Sequence, residues 1–320
     1  MPQFTAIITD NRFGETTIER QILEPLGVRL LEKNCHLPSE VIAACGEADA
    51  LLVNMALVDR QALENLPRCR VLARYGVGMD NVDTVAAAEL GKKFYNVPDY
   101  CGEDAAQHAL ALLLALLRDL PARHEAVNAG KWNMPRDQYT VENKTVGVLG
   151  FGSSGKAFCR MILALKPARL LVYSPHNHQQ RLDDEIGQLA QLLGVELLSV
   201  SIEEIFKHSD IISIHLRLSD ESRALFSHHS LQLVKPGLFL VNIARGPIVD
   251  SEALRAALDS GLVAGAGLDV LEQEPPHSDH PLLQHPSVVF SDHCAYRSVT
   301  SLSLLRRRTA ENAARGLGLL

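Results

Sequence analysis

The chain has 320 residues, long enough for two domains, and its 31 Lys and Arg against 38 Asp and Glu leave a net charge of −7, which gives no general attraction to nucleic acid or anionic lipid. Hydrophobic residues make up 47% but aromatics only 5%, the balance of an aliphatic-rich α/β protein, and the longest apolar stretch, ALALLLALL at 109–117, is too short to span a bilayer. MPQFTAIITDN has no basic n-region or long apolar core, and the six cysteines (35, 45, 69, 101, 159, 294) contain no C-x-x-C pair, so the expectation is a soluble cytoplasmic protein without structural zinc.

In chain order, FTAIIT, ADALLVN, RVLARYG and KKFYNV read as strands, separated by helical segments such as IERQILEPLG and VDTVAAAELG. That alternation is the pattern of a parallel sheet built from βα units. GEDAAQHALALLLALLRDL, residues 102–120, reads as one long helix, with Glu103 and Asp104 in its first turn and Arg118 in its last. It is apolar nearly all round and is expected to be buried between domains or subunits. A second βα series starts at Thr145, with TVGVLG, RLLVYS, DIISIHL, LFLVNIA, VAGAGLDV and VVFSDH as six strands. The tail SLSLLRRRTAENAARGLGLL returns to a helical pattern, and its RRR at 306–308 reads as an exposed face.

TVGVLGFGSSGKAF places Gly150, Gly152 and Gly155 as G-x-G-x-x-G between a strand and a helix. In that setting Gly150 permits the tight turn, Gly152 lets the backbone approach a pyrophosphate at the helix N-terminus, and Gly155 allows close helix–strand packing. The position that ends the next strand, where an acidic residue would hold the adenosine ribose, is Ser174. Serine does not repel a 2′-phosphate, and His176, His178 and Arg181 add positive charge nearby, so NADP is expected to be tolerated or preferred over NAD.

Arg245 follows the strand LFLVNIA, Asp269 and Glu274 follow VAGAGL, and His293 ends VVFSD. Ligands of a doubly wound sheet bind outside the carboxyl ends of its strands, so all four residues are expected at one edge. Arg245 suits a substrate carboxylate in fork-to-fork contact. His293 suits proton transfer to a carbonyl oxygen, with Glu274 stabilising the protonated imidazole.

NIARGPIVDSEAL, GAGLDVLEQEP and SDHCAY, read with GFGSSG, RYGVGMDNVD (74–83) and NVPDYCGEDAAQHALALLLAL (96–116), resemble the D-isomer-specific 2-hydroxyacid dehydrogenases. Phosphoglycerate dehydrogenases, glyoxylate/hydroxypyruvate reductases and the C-terminal-binding-protein corepressors are branches of that family. The resemblance covers nearly the whole chain. It implies two doubly wound parallel-sheet domains: a Rossmann cofactor domain at 99–294, inserted in a flavodoxin-like substrate domain at 1–98 and 295–320. It implies that Arg245, Glu274 and His293 are the catalytic trio. By the same resemblance the N–H groups of Val77 and Gly78 hold the substrate carboxylate, Ser153 and Ser154 line the pyrophosphate, and Asp269 faces the nicotinamide end. The 102–120 helix would lie in a homodimer interface. The function implied is reversible hydride transfer between NAD(P)H and a small 2-keto or D-2-hydroxy acid. The alternative is a dinucleotide-sensing binding protein of the corepressor kind.

Some positions depart from the family pattern. Asp292 replaces the proline that commonly precedes the histidine, and Arg217 replaces the proline of an HLP. Ser154 replaces an apolar residue, which should loosen the packing of the glycine turn. Val77 stands where a phosphite-oxidising relative would place lysine. His108 reads as a satisfied interdomain histidine, and Cys101 and Cys294 as packing, because no base adjoins either thiol. Every 2-keto acid presents the same carboxylate–carbonyl pair to these residues.

Overall fold

Short runs of Val, Leu and Ile pair into two parallel sheets in the computed structural model, which describes residues 3–175 and 185–320. The chain divides into two compact units, Met1–Tyr100 with Ser298–Leu320, and Cys101–Arg297.

In the first unit β1 (Phe4–Ile8), β2 (Val28–Glu32), β3 (Ala50–Val53), β4 (Val71–Arg74) and β5 (Lys93–Tyr95) form one sheet in the order β2-β1-β3-β4-β5. The central β3, ALLV, is buried throughout, as expected of a parallel strand covered on both faces. The strand β2 is absent from the strands read in the sequence. It is an edge strand pairing only with β1, its VRLLE alternates over too few residues, and it starts directly after Gly27, which closes a helical turn at φ 76°.

The terminal helix Val299–Leu317 also corrects the reading of RRR as an exposed face. Arg307 and Arg308 are exposed, but Arg306 lies on the buried stripe with Leu305, Thr309, Ala310 and Ala313. Its guanidinium donates to both oxygens of the fully buried Glu19, at 2.9 Å from Nε and 2.7 Å from Nη2, and to the Glu15 carbonyl at 2.6 Å. Tyr75 completes the cluster, its hydroxyl donating to Glu19 at 3.1 Å. The charge is tolerated inside because it is paired and hydrogen-bonded.

In the second unit β6 (Thr145–Leu149), β7 (Arg169–Tyr173), β8 (Glu196–Ser199), β9 (Ile211–Ile214), β10 (Leu238–Asn242), β11 (Val263–Leu268) and β12 (Val288–Phe290) run in the order β12-β11-β10-β9-β6-β7-β8. The order reverses between β6 and β9, which makes a topological switch point there. The sequence reading lacks β8, another short edge strand that pairs only with β7 and is exposed at Glu196.

The segment 102–120 is not one helix. It stops at Leu117, Arg118 caps it, Asp119 takes a left-handed φ of 52°, and a second helix runs Leu120–Asn128. Pro121 explains the break, because its ring and missing N–H cannot continue a helix from the preceding turn. Ala106, Ala109, Leu113 and Leu117 are buried within the unit. Gly267 of β11 admits the helix, since a Cβ there would stand 3.0 Å from Leu112 Cβ. Among the described residues no helix is long and apolar enough to cross a membrane.

Replacing Arg306 with Ala would strand the Glu19 carboxylate. Urea denaturation should show a loss of about 3 kcal/mol or more, whereas the paired change Glu19→Leu with Arg306→Met should recover much of it. An Arg306→Ala variant as stable as the parent would contradict the reading.

Candidate active site

The glycine turn after β6 is set by two collisions and one opening. Gly150 has φ 104°, and a Cβ on it would lie 2.6 Å from the His215 carbonyl oxygen. A Cβ on Gly155 would lie 2.1 Å from the Gly150 carbonyl oxygen, so helix Ser153–Leu163 packs on the turn only without a side chain there. At Gly152 a Cβ would meet nothing within 4 Å. The turn is tight where it is packed and open where it faces the helix N-terminus. These residues therefore fit a dinucleotide pyrophosphate.

Ser154 does not loosen this turn. Its hydroxyl hydrogen-bonds His215 Nδ1 at 3.2 Å, the other ring nitrogen pairs with Ser213 Oγ at 2.9 Å, and the ring lies 5.2 Å from that of Phe158. Burial pushes the His215 imidazole down to about 3, so it is neutral at ordinary pH. Ser174, half-buried, follows β7 beside the turn, where the Gly150 N–H donates to the Tyr173 carbonyl at 2.8 Å. His176, His178 and Arg181 lie outside the described residues.

Arg245, Asp269, Glu274 and His293 follow three neighbouring parallel strands, β10, β11 and β12, and the structure brings them to the same sheet edge. Asn242 ends β10, almost wholly buried, and folds over the next turn. Its Oδ1 accepts from Ala244 N at 3.0 Å and its Nδ2 donates to the Arg245 carbonyl at 2.9 Å. Gly246 then lies so close to the Leu271–Glu272 peptide that a Cβ would fall 1.9 Å from the Leu271 carbonyl carbon. Glu272 secures this approach by accepting from Ser251 N at 2.8 Å and from Ser251 Oγ at 2.5 Å, at the start of helix Ser251–Asp259. Arg245 is half-buried, with Nη1 donating to the Ala244 carbonyl at 2.7 Å.

Glu274 and His293 form one unit. His293 Nδ1 and Glu274 Oε2 are 2.5 Å apart, and Leu271 N donates to Glu274 Oε1 at 3.1 Å. Burial alone would raise the Glu274 carboxyl, but the His293 hydrogen bond and charge, the Leu271 N–H and the charge of Arg245 together hold it below the usual carboxylate range. An ionised carboxylate only accepts, so Nδ1 carries a proton and Nε2 is the nitrogen left for a substrate. Tyr296 stands edge-on to the ring at 6.3 Å.

The Asp269 carboxylate is turned into the segment 291–295 that follows β12. It accepts from Ser291 Oγ at 2.6 Å, Cys294 N at 2.9 Å and Ala295 N at 3.0 Å. Burial first, and then the adjoining Asp292 and Asp269 carboxylates, push the Cys294 thiol up to about 11, which agrees with a packing role.

In the other unit Val77 and Gly78 follow β4. Asn96 Nδ2 holds the Val77 carbonyl at 2.8 Å, and Val97 N donates to the Gly76 carbonyl at 3.0 Å.

Asn242, Gly246, His215 and Ser291 were not singled out as site-forming residues by sequence reasoning. A polar Asn closing the apolar run LFLVN was a usable signal. The crowding at Gly246 depends on a loop 25 residues away and leaves no local mark.

Residues 110–295 match the family model for the NAD binding domain of D-isomer specific 2-hydroxyacid dehydrogenases. The chain belongs to the D-isomer specific 2-hydroxyacid dehydrogenase family. It is 39% identical over 256 residues to a D-3-phosphoglycerate dehydrogenase of Mycobacterium bovis, covering 79% of this chain but 46% of that protein, so it spans about half of that relative's length. It is 33% identical over 299 residues to a glyoxylate reductase of Pyrococcus furiosus, covering 90% of this chain and 85% of the relative. The crystal structure of a glyoxylate reductase from Paecilomyes thermophila superposes with a TM-score of 0.84 at 25% identity, covering 97% and 94% of the two chains. A dinucleotide-binding second unit thus rests on family membership as well as on the shape of its glycine turn.

A histidine whose folded value lies near 3 and whose unfolded value is 6.5 binds its proton only on unfolding between those limits. Stability from His215 is therefore complete above about pH 6.5 and falls as pH drops towards 3, by about 2 kcal/mol at pH 5. Urea denaturation at pH 7 and pH 5 should show that loss in the parent and a smaller one in His215→Asn. Parallel losses in both proteins would contradict it.

Proposed function

We propose that this chain reversibly transfers hydride between NAD(P)H and a small 2-keto acid, giving a D-2-hydroxy acid. The observation that carries the reading is the His293–Glu274 pair, 2.5 Å apart, on the same sheet edge as Arg245 and in the unit that holds the glycine turn. The names of the two reductases above support the substrate class.

Arg245 binds the substrate carboxylate through its planar, permanently charged fork and so fixes which face of the carbonyl is presented. Bound nicotinamide dinucleotide supplies the hydride in reduction and accepts it in oxidation. His293 donates the proton on Nε2 to the carbonyl oxygen as that oxygen gains charge, and takes it back in the reverse direction. Glu274 keeps Nδ1 protonated, orients the ring and stabilises the imidazolium from which the proton leaves. Gly150, Gly152, Ser153, Ser154 and Gly155 would hold the pyrophosphate, and Val77 and Gly78 offer amide donors suited to a carboxylate. Asp269 is assigned to the nicotinamide end of the cofactor site. Ser174, lacking a carboxylate, supports use of NADP as well as NAD.

The domain roles follow: residues 99–294 bind the dinucleotide, and residues 1–98 with 295–320 bind substrate. The free, scattered cysteines support residence in the reducing cytoplasm. We also assign a homodimer built through the 102–120 region. Leu110, Leu114 and Leu116 there are only half-buried, and Leu120, Val127 and Trp132 beyond them are exposed.

A panel of 2-keto acids assayed with NADH and NADPH should show substrate-dependent loss of nicotinamide absorbance, with NADPH used at least comparably. Dinucleotide binding without turnover of any of them would defeat the reading. Arg245→Ala and His293→Ala should each lower kcat/KM by about a hundred-fold or more while dinucleotide affinity changes little. Sedimentation should give a dimer; a monomer at micromolar concentration would remove the interface assignment.

A further inference from the structure

The turn that carries His293 is held on Asp269, and behind Asp269 stand two groups the chemistry above does not use, Ser291 and His108. His293 has φ 54°, in the left-handed region that side chains with a Cβ seldom occupy. Its N–H donates to the Asp269 carbonyl at 2.8 Å, and the next two N–H groups converge on the Asp269 carboxylate. Asp269 is 2% exposed, so these bonds form in a poorly solvated place where an unmet partner is costly.

Ser291 fixes the direction of the network. Its hydroxyl has one proton, and the carboxylate oxygen 2.6 Å away accepts it. His108 Nε2 is 2.8 Å from the same hydroxyl, so His108 is the donor in that contact. The chain therefore runs from His108 Nε2–H to Ser291, from Ser291 O–H to Asp269, and ends where the carboxylate receives Cys294 and Ala295. His108 sits on the helix Gly102–Leu117, which is anchored to the sheet by its buried apolar residues. His108, Asp269 and Cys294 also have their polar atoms within 4.8 Å of one another. Both Asp269 oxygens already accept N–H or O–H groups and the Cys294 thiol is pushed up to about 11, so the cluster has the chemistry of a hydrogen-bond relay and not of a cation site.

We propose that His108 and Ser291 are positioning residues that hold the His293 turn through Asp269; this rests on the assignment of His293 as the proton donor. Without the His108 donor the Ser291 hydroxyl loses its fixed orientation, Asp269 is less well held, and the backbone at His293 relaxes. The ring then leaves its alignment with Glu274, and a misplacement of about 1 Å is enough to slow a proton transfer substantially.

The test uses the full chain with His108→Leu, His108→Gln and Ser291→Ala. Three quantities are read: kcat and KM for the best 2-keto acid, dinucleotide affinity, and hydrogen exchange at the Cys294 and Ala295 amides without ligand. His108→Leu and Ser291→Ala should lower kcat about ten-fold, leave KM and dinucleotide affinity within about two-fold, and speed exchange at the two amides about ten-fold. His108→Gln, whose side-chain N–H can replace the lost donor, should restore both kcat and slow exchange. Unchanged exchange in His108→Leu, or a His108→Gln variant as impaired as His108→Leu, would overturn the proposal. If the parent turns over no 2-keto acid, the functional assignment fails, and the exchange comparison still decides whether the relay holds the turn.

Discussion

The structure depends most on a backbone contact that leaves no room for a side chain. Gly246 meets the Leu271–Glu272 peptide so closely that the loop after β10 and the loop after β11 behave as one piece. That contact sets Arg245 on one loop relative to Glu274 on the other, and Glu274 in turn holds His293 at 2.5 Å. Neighbouring parallel strands deliver three loop ends to one edge, and across this approach the Arg245 charge acts on the Glu274 carboxylate. The order of dependence runs from backbone packing, through a carboxylate, to an imidazole.

Three buried polar networks show how the chain keeps polar and charged groups inside its units. In one unit Arg306 and Glu19 compensate each other, with Tyr75 as a neutral partner. In the other, Asp269 is met by three donors, and a neutral His215 bridges Ser213 and Ser154 beneath the glycine turn. A partly satisfied version of any of them would be worse than an apolar replacement. The serine at 154 makes sense in this light: it replaces packing with a hydrogen bond to a histidine that the same fold supplies.

Much of this was legible in the sequence because parallel sheets write long apolar runs and their active edges write polar residues directly after them. LFLVN followed by Arg245, and VVF followed shortly by His293, are such runs. The strands β2 and β8 were missed because edge strands need few apolar residues and carry little alternation. The break at Arg118–Asp119 was missed although Pro121 marked it, because the apolar periodicity of 109–117 outweighed it. Arg306 was misread because three consecutive arginines look like one face, whereas a helix turns successive residues by about 100° and buries one of the three. The Gly246 crowding and the His108–Ser291–Asp269 relay join residues 22 to 183 positions apart, and only folded coordinates can show them.

The central claim is that Glu274 and His293 act as one proton-transfer unit, and a double-mutant cycle on kcat/KM tests it most directly. Glu274→Gln, His293→Gln and the double variant should be assayed on one 2-keto acid with saturating dinucleotide. The account predicts that the double variant is scarcely slower than His293→Gln alone, because the carboxylate has no task once the imidazole is gone. Losses that simply multiply would mean that the two residues act independently, and would contradict it.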